Sequence, residues 1–239
     1  MNLSRALQLK PGEPRTLALL FGWYFCVIGG TFVARAVRDS LFLAHLGAAR
    51  LPAMYIATPL VVTLVGVVYA RIESRWRRDS IAVATVASGA VLFGGARALL
   101  GTGDWIFYAL YIATSVIGSL VIMQLWTVAS DRFTARDAKR VFGLIGAGGT
   151  AADIAVGAAI AVLAPRLGAE NLLFVVAGLF GAAAVFAVIA RSGARMPVRG
   201  RVVAAAENNV PGTSHLKLVG IAVVLAVVVV TLVEFQFKA

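Results

Sequence analysis

Six residues have chemistry that conflicts with their surroundings: Arg35, Arg38, Asp39, Gln124, Asp153 and Glu234, all within or beside long apolar stretches. A charged side chain at the centre of a membrane helix costs roughly 2.5–3.5 kcal/mol on insertion scales. Such residues usually face a polar cavity or a partner. Arg35 and Arg38 are three apart, so they share a helical face. One reading is a cationic site for an anionic substrate. The other is a solvated outer loop in which Arg38 and Asp39 pair locally. Asp153 can relay protons, pair with an arginine or line a cavity. Gln124 can hydrogen-bond a substrate or join helices. None of this is covalent chemistry. There is no nucleophile–base pair, Cys26 is the single cysteine, and His45 and His215 lie far apart, so no metal-ligand spacing appears. An enzyme is the least expected class, and no metal or cofactor is expected.

The elements that must hold these residues follow from composition. The chain has 239 residues, 60% hydrophobic and 14% charged, whereas a soluble domain carries about 25% charged residues. A soluble core of this length cannot hide so many apolar side chains. Several stretches run about 18 residues or more with few charges, long enough to cross a ~30 Å hydrocarbon core as helix. Backbone groups in lipid must pair internally, which selects helices. Spans are expected near 16–34, 52–70, 80–100, 105–129, 141–164, 171–190 and 217–235. The first, after Arg5, Lys10 and Arg15, exceeds the apolar core of a usual signal peptide, so it is read as a retained helix.

The net charge of +11 does not point to nucleic acid, because the basic residues sit in short clusters between apolar runs. That is the topology signal of membrane proteins. With the N-terminus inside, inner segments hold Arg5, Lys10, Arg15; Arg71, Arg75, Arg77, Arg78; Arg132, Arg136, Lys139, Arg140; and Arg191, Arg195, Arg199, Arg201, Lys217. Outer segments hold only Arg35, Arg38, Arg50, Arg97, Arg166 and Lys238. The excess is more than twofold and orients the N-terminus to the cytoplasm. Trp76 and Trp105 fall at expected interfaces. Cysteines introduced at Ser74 or Thr213 should therefore be labelled by an impermeant reagent only from the cytoplasmic side, and one at Ala49 only from outside. The reverse pattern would overturn the orientation.

Three regions result: a six-helix transmembrane bundle at 1–190, a basic cytoplasmic linker at 191–216 containing Pro197, Pro211 and Gly212, and the first helix of an incomplete second bundle at 217–239. Six helices, a basic linker and a new helix is the layout of a 6 + 6 transporter cut early in its second half, and repeat-built transporters bind substrate between the halves. Such a piece alone is not expected to transport. Helix five is glycine-rich, with Gly143, Gly146, Gly148, Gly149 and Gly157, which suits close helix packing in lipid. Gly146-x-Gly148-x-x-Ala151 imitates a dinucleotide fingerprint but lacks the preceding strand that motif requires.

Three segments resemble the bacterial and plastid ATP/ADP translocases. Arg38-Asp39-Ser40-Leu41-Phe42, with Leu46-Gly47-Ala48 and Leu51-Pro52, resembles their Lys-Asp-Thr-Leu…Ser-Gly-Ala…Ile-Pro stretch at the end of helix one. Ala138-Lys139-Arg140-Val141-Phe142-Gly143-Leu144-Ile145-Gly146 resembles their Ala-Lys-Arg-Phe-Tyr-x-Leu-Phe-Gly segment before helix five. Leu232-Val233-Glu234 with Lys238 resembles the Leu-Val-Glu…Lys of a later helix. The resemblance implies an all-α membrane protein of major-facilitator-like fold, twelve helices in complete members, that exchanges ATP for ADP or carries related nucleotides without hydrolysis. It implies the bacterial inner membrane as location and an anionic small molecule as partner, beside the lipid bilayer. The family's basic residue near the end of helix one falls on Arg38, its helix-four carboxylate near Gln124, and its later glutamate on Glu234. Gln124 is neutral where the family is acidic, and Arg38 stands where the family has lysine. Two other functions compete: a general facilitator-type carrier, which predicts a more apolar cavity, and a non-transporting assembly subunit, which predicts Arg38, Asp153 and Glu234 paired inside the protein.

Overall fold

The structure, a computed structural model, describes residues 13–73, 75–133 and 135–192. They form α1 (Glu13–Leu46), a short 3-10 turn (Ala48–Arg50), α2 (Leu51–Glu73), α3 (Arg78–Leu99), α4 (Trp105–Ser130), α5 (Ala135–Leu167) and α6 (Leu172–Ser192). All six helices are long and apolar enough to cross a membrane. The chain is an integral, multi-pass membrane protein built as a helical bundle. The expected linker, the expected seventh span and Glu234 lie outside the described residues.

Five of the six spans match the apolar runs closely, with α5 starting some residues earlier. The first departs most: α1 runs on through Arg35, Arg38 and Asp39 to Leu46. The reason is amphipathic spacing. Ala34, Val37, Arg38, Leu41, Phe42 and Leu46 recur every three to four residues and are all buried, so the segment has a packed face despite its charges. The helix stops at Gly47, whose φ of 75° suits a residue without Cβ. Its N–H reaches back to the Leu43 carbonyl at 3.2 Å.

Helix α1 is the centre of the bundle and packs against α4, α5 and α6, while α3 lies between α4 and α6, and α2 rests on α4. Apolar burial between helices gains little in lipid, so close approach of backbones must do the work. A Cβ on Gly22 would meet the Phe186 ring at 2.9 Å, and one on Gly30 the Phe180 ring at 2.9 Å. These join α1 to α6. On the other side Gly148 lies against Phe21, Gly149 against Tyr24, and Gly157 opposite Phe32. Residue numbers rise together along this seam, so α1 and α5 run parallel.

Gly148→Ala should cost about 1–3 kcal/mol, because its Cβ would lie 2.9 Å from the Phe21 backbone carbonyl oxygen and backbone cannot swing aside. Gly143→Ala on the same helix meets open space. Thermal unfolding in detergent should separate the two; equal melting temperatures would refute the close seam.

Charges at the helix ends are tied across elements. Arg78 bridges Glu73 and Asp131, each at 2.9 Å, and Arg132 reaches Asp79 at 3.3 Å. At the other end Arg97 contacts Glu170 at 3.3 Å and Asn171 at 3.0 Å, and Arg50 lies 4.0 Å from Asp104.

Candidate functional site

Arg38 lies on the α4-facing side of α1. Its guanidinium sits 4.1 Å from the Tyr111 ring centroid, donates to Asp39 at 3.1 Å and to the Tyr111 carbonyl at 3.4 Å, and also bonds the Ser115 hydroxyl. It is only 8% exposed. This is a cation packed on an aromatic face and held by a carboxylate and a hydroxyl, an arrangement that offsets its desolvation. The solvated-loop reading is thereby excluded for Arg38. The local pairing with Asp39 that belonged to that reading is present, but inside the bundle.

Arg35 is placed differently. Phe21, Ile28, Phe32, Arg35 and Asp39 recur at helical spacing and form the more open stripe of α1, on the α4 side of its seam with α5, which Phe21 and Phe32 edge. Arg35 is exposed there, and among the described residues it makes no hydrogen bond or ion pair. Arg35 and Arg38, one turn apart, thus diverge: one enters the packed seam and the other the groove beside it.

Asp153 faces the same groove from α5. It follows Phe142, Gly146 and Gly149 at i, i+4, i+7 and i+11, which is one helix face. It is exposed and has no ion pair among the described residues, and Gly149, one turn before it, lies against Tyr24. The Tyr24 and Trp126 rings meet edge to face at 5.5 Å, and Trp126 and Phe142 do so at 5.4 Å. These three rings come from α1, α4 and α5 and are all partly exposed. The groove therefore has an aromatic wall, which precedes Asp153 along α5. The aromatics carried no chemical signal in the sequence, because a ring facing lipid and one facing a cavity read alike there.

Gln124 is turned away from this groove. It is 1% exposed and donates from Nε2 to Thr85 Oγ1 at 2.9 Å, so it joins α4 to α3. Its Oε1 is buried without a hydrogen-bond partner among the described residues. Of the six residues singled out above, Arg35, Asp39 and Asp153 border one groove, Arg38 and Gln124 are packed between helices, and Glu234 lies outside the described residues. No group of three or more His, Cys, Asp or Glu that could hold a metal occurs among the described residues.

Comparison with known families agrees with the resemblance read from the three motifs. Residues 90–176 match the family model described as TLC ATP/ADP transporter. The matched stretch runs from within α3 to the start of α6 and contains Trp126, Phe142 and Asp153, but not α1. No curated protein and no solved structure matches the chain.

Proposed function

We propose that this chain forms one half of a carrier that exchanges nucleotides, or other phosphorylated anions, by alternating access across the bacterial inner membrane, with its N-terminus in the cytoplasm. The similarity of residues 90–176 to ATP/ADP transporters supports the substrate class. The observation that carries the reading in the structure is Arg35, a cation within a membrane helix that no described residue neutralises. Such a charge is costly unless a polar cavity or an anion meets it. Asp153, exposed on the neighbouring helix, makes the groove polar rather than apolar, which favours this reading over a general carrier of apolar solutes.

In this mechanism the α1–α4–α5 groove faces a second bundle, and the substrate sits between them. Arg35 holds phosphate as a bidentate fork. Helices α2 and α5, the least buried of the six spans at 17% and 22%, supply the flanks on which the second bundle rocks. A second reading, in which the chain is a non-transporting assembly subunit, draws on Arg38 alone, since that residue is indeed paired inside the protein.

The test is equilibrium binding of labelled ADP to the purified protein in lipid nanodiscs, competed by unlabelled ATP, ADP and inorganic phosphate. Competition by the nucleotides is expected. Absence of binding by any phosphorylated anion would refute the reading.

A further inference from the structure

A short connection between two membrane-crossing helices lies at the bilayer surface. Residues 75–77 are in that position, between α2 and α3, both long and apolar enough to span. They are Arg75, Trp76 and Arg77, all exposed, the indole by 69%. The turn is held at both ends. The Arg75 and Trp76 N–H groups donate to the Ile72 carbonyl at 3.0 and 3.2 Å. Arg78, the first residue of α3, binds Glu73, the last residue of α2, and Asp131, just past the end of α4, each at 2.9 Å. The ends of α2, α3 and α4 are thereby clasped together, with the loop projecting from the clasp.

The clasp also decides which charges are left over. Every carboxylate beside the loop already holds an arginine: Glu73 and Asp131 share Arg78, and Asp79 holds Arg132 at 3.3 Å. Arg71, one turn before Arg75, is exposed and has an interaction of its own. Arg75 and Arg77 make no hydrogen bond or ion pair among the described residues. Two free guanidinium groups thus flank one exposed indole. A guanidinium presents a planar fork of donors that matches a phosphate. An indole is amphipathic and settles at headgroup level. On the last turns of α2, next to the loop, Val67, Val68 and Ile72 are exposed as well, so the surface turns apolar where acyl chains begin.

We propose that Arg75, Trp76 and Arg77 form a docking surface for an anionic phospholipid, the two arginines taking the phosphate of its headgroup and Trp76 lying beside its ester region. The occupant is a lipid rather than a soluble anion, because the indole and the apolar turns of α2 offer contact only to a molecule that carries acyl chains. The surface lies where α2 meets α3, outside the α1–α4–α5 groove, and does not depend on the nucleotide reading. Because the clasp orders the loop beforehand, little ordering cost falls on binding. Each arginine beside an anionic membrane surface strengthens the attraction by about fivefold, and two do so by about twenty-fivefold.

The experiment uses the purified full chain in phosphatidylcholine vesicles that contain a minor fraction of one lipid with brominated acyl chains, a short-range quencher of tryptophan emission. That lipid is phosphatidylglycerol in one arm and phosphatidylcholine in the other. The Trp76 signal is the difference between each protein and the same protein carrying Trp76→Phe. Both leaflets hold the probe, so the result does not depend on which way the chain is inserted. Brominated phosphatidylglycerol should quench Trp76 more strongly than brominated phosphatidylcholine. The preference should fall about fivefold in Arg75→Gln or Arg77→Gln and about twenty-fivefold in the double variant. Arg75→Lys with Arg77→Lys should keep most of it, since the charge remains and only the fork is lost. Arg50→Gln, in the loop before α2, should change nothing. Equal quenching by the two lipids would overturn the surface, as would a preference that survives the double glutamine variant. A lysine pair no better than the glutamine pair would also overturn it, because charge would then not be the basis. Recovery of Trp76 emission on adding inorganic phosphate or pyrophosphate would overturn the lipid as occupant in favour of a soluble anion.

Discussion

Arg35→Ala should weaken nucleotide binding by about tenfold to a hundredfold while leaving the melting temperature close to that of the parent. The size follows from a charged hydrogen bond, about 1.5–3 kcal/mol net, at 1.4 kcal/mol per factor of ten. Stability should hold because Arg35 is exposed and has no partner among the described residues, so its removal breaks nothing inside the bundle. Arg35→Lys should retain part of the affinity, since an ammonium keeps the charge but loses the planar fork. Arg50→Ala is the control. Arg50 contacts Asp104 at 4.0 Å and the Tyr108 hydroxyl at 3.0 Å on an exposed surface, where such pairs contribute about 0–1 kcal/mol. Competition binding against labelled ADP, run beside thermal unfolding, measures both quantities. If Arg35→Ala is inserted, stable and binds like the parent, the groove is not the phosphate site.

Arg38→Ala should fall mainly on stability. The substitution removes a guanidinium from the Tyr111 face and strips its bonds from Asp39, Tyr111 and Ser115. Breaking a buried ion pair costs about 3–5 kcal/mol when a partner charge is stranded. Asp39 retains 17% side-chain exposure and a further interaction besides Arg38, so it is not wholly stranded and a loss of about 2–3 kcal/mol is the better expectation under that rule. The double variant Arg38→Met with Asp39→Leu should recover part of it, because removing both charges is less costly than stranding one. Thermal unfolding of the single and double variants decides the matter. A single variant that unfolds with the parent but binds nucleotide tenfold more weakly would return Arg38 to the substrate site, where the motif resemblance puts it.

Why these two arginines separate explains how far the sequence could be read. Apolar runs located six spans because membrane insertion depends mostly on composition along one dimension. The end of α1 is hidden from composition because Arg35, Arg38, Asp39 and His45 weigh against an apolar run, although Val37, Leu41, Phe42 and Leu46 bury a face between them. That is a periodic signal, which composition does not register. Spacing alone also placed Arg35 and Arg38 on one face, and they do lie on adjoining ones. Which of them enters a seam depends on where α4 sits, and α4 is some seventy residues away in the chain. Gln124 shows the same limit. Its partner Thr85 belongs to α3, and nothing near Gln124 in sequence announces it. The aromatic wall of Tyr24, Trp126 and Phe142 was hidden for the same reason, being assembled from three helices.

The position of α1 also bears on how the protein is made. Its main neighbours are α4, α5 and α6 rather than α2, the helix that follows it. A ribosome delivers α1 to the membrane first, yet the surfaces that bury it are synthesised much later. During that interval the helix must reside in lipid with its glycine notches unfilled and Tyr111 and Ser115 not yet present to receive Arg38. Among the described residues, Asp39, adjacent in the chain, is the ion-pair partner of Arg38 and is available from the outset. Long-range partners of this kind slow assembly and prolong the exposure of incomplete intermediates. A nascent chain released after α3 would therefore present α1 with its groove and seams uncovered, the form that membrane quality control is best placed to capture.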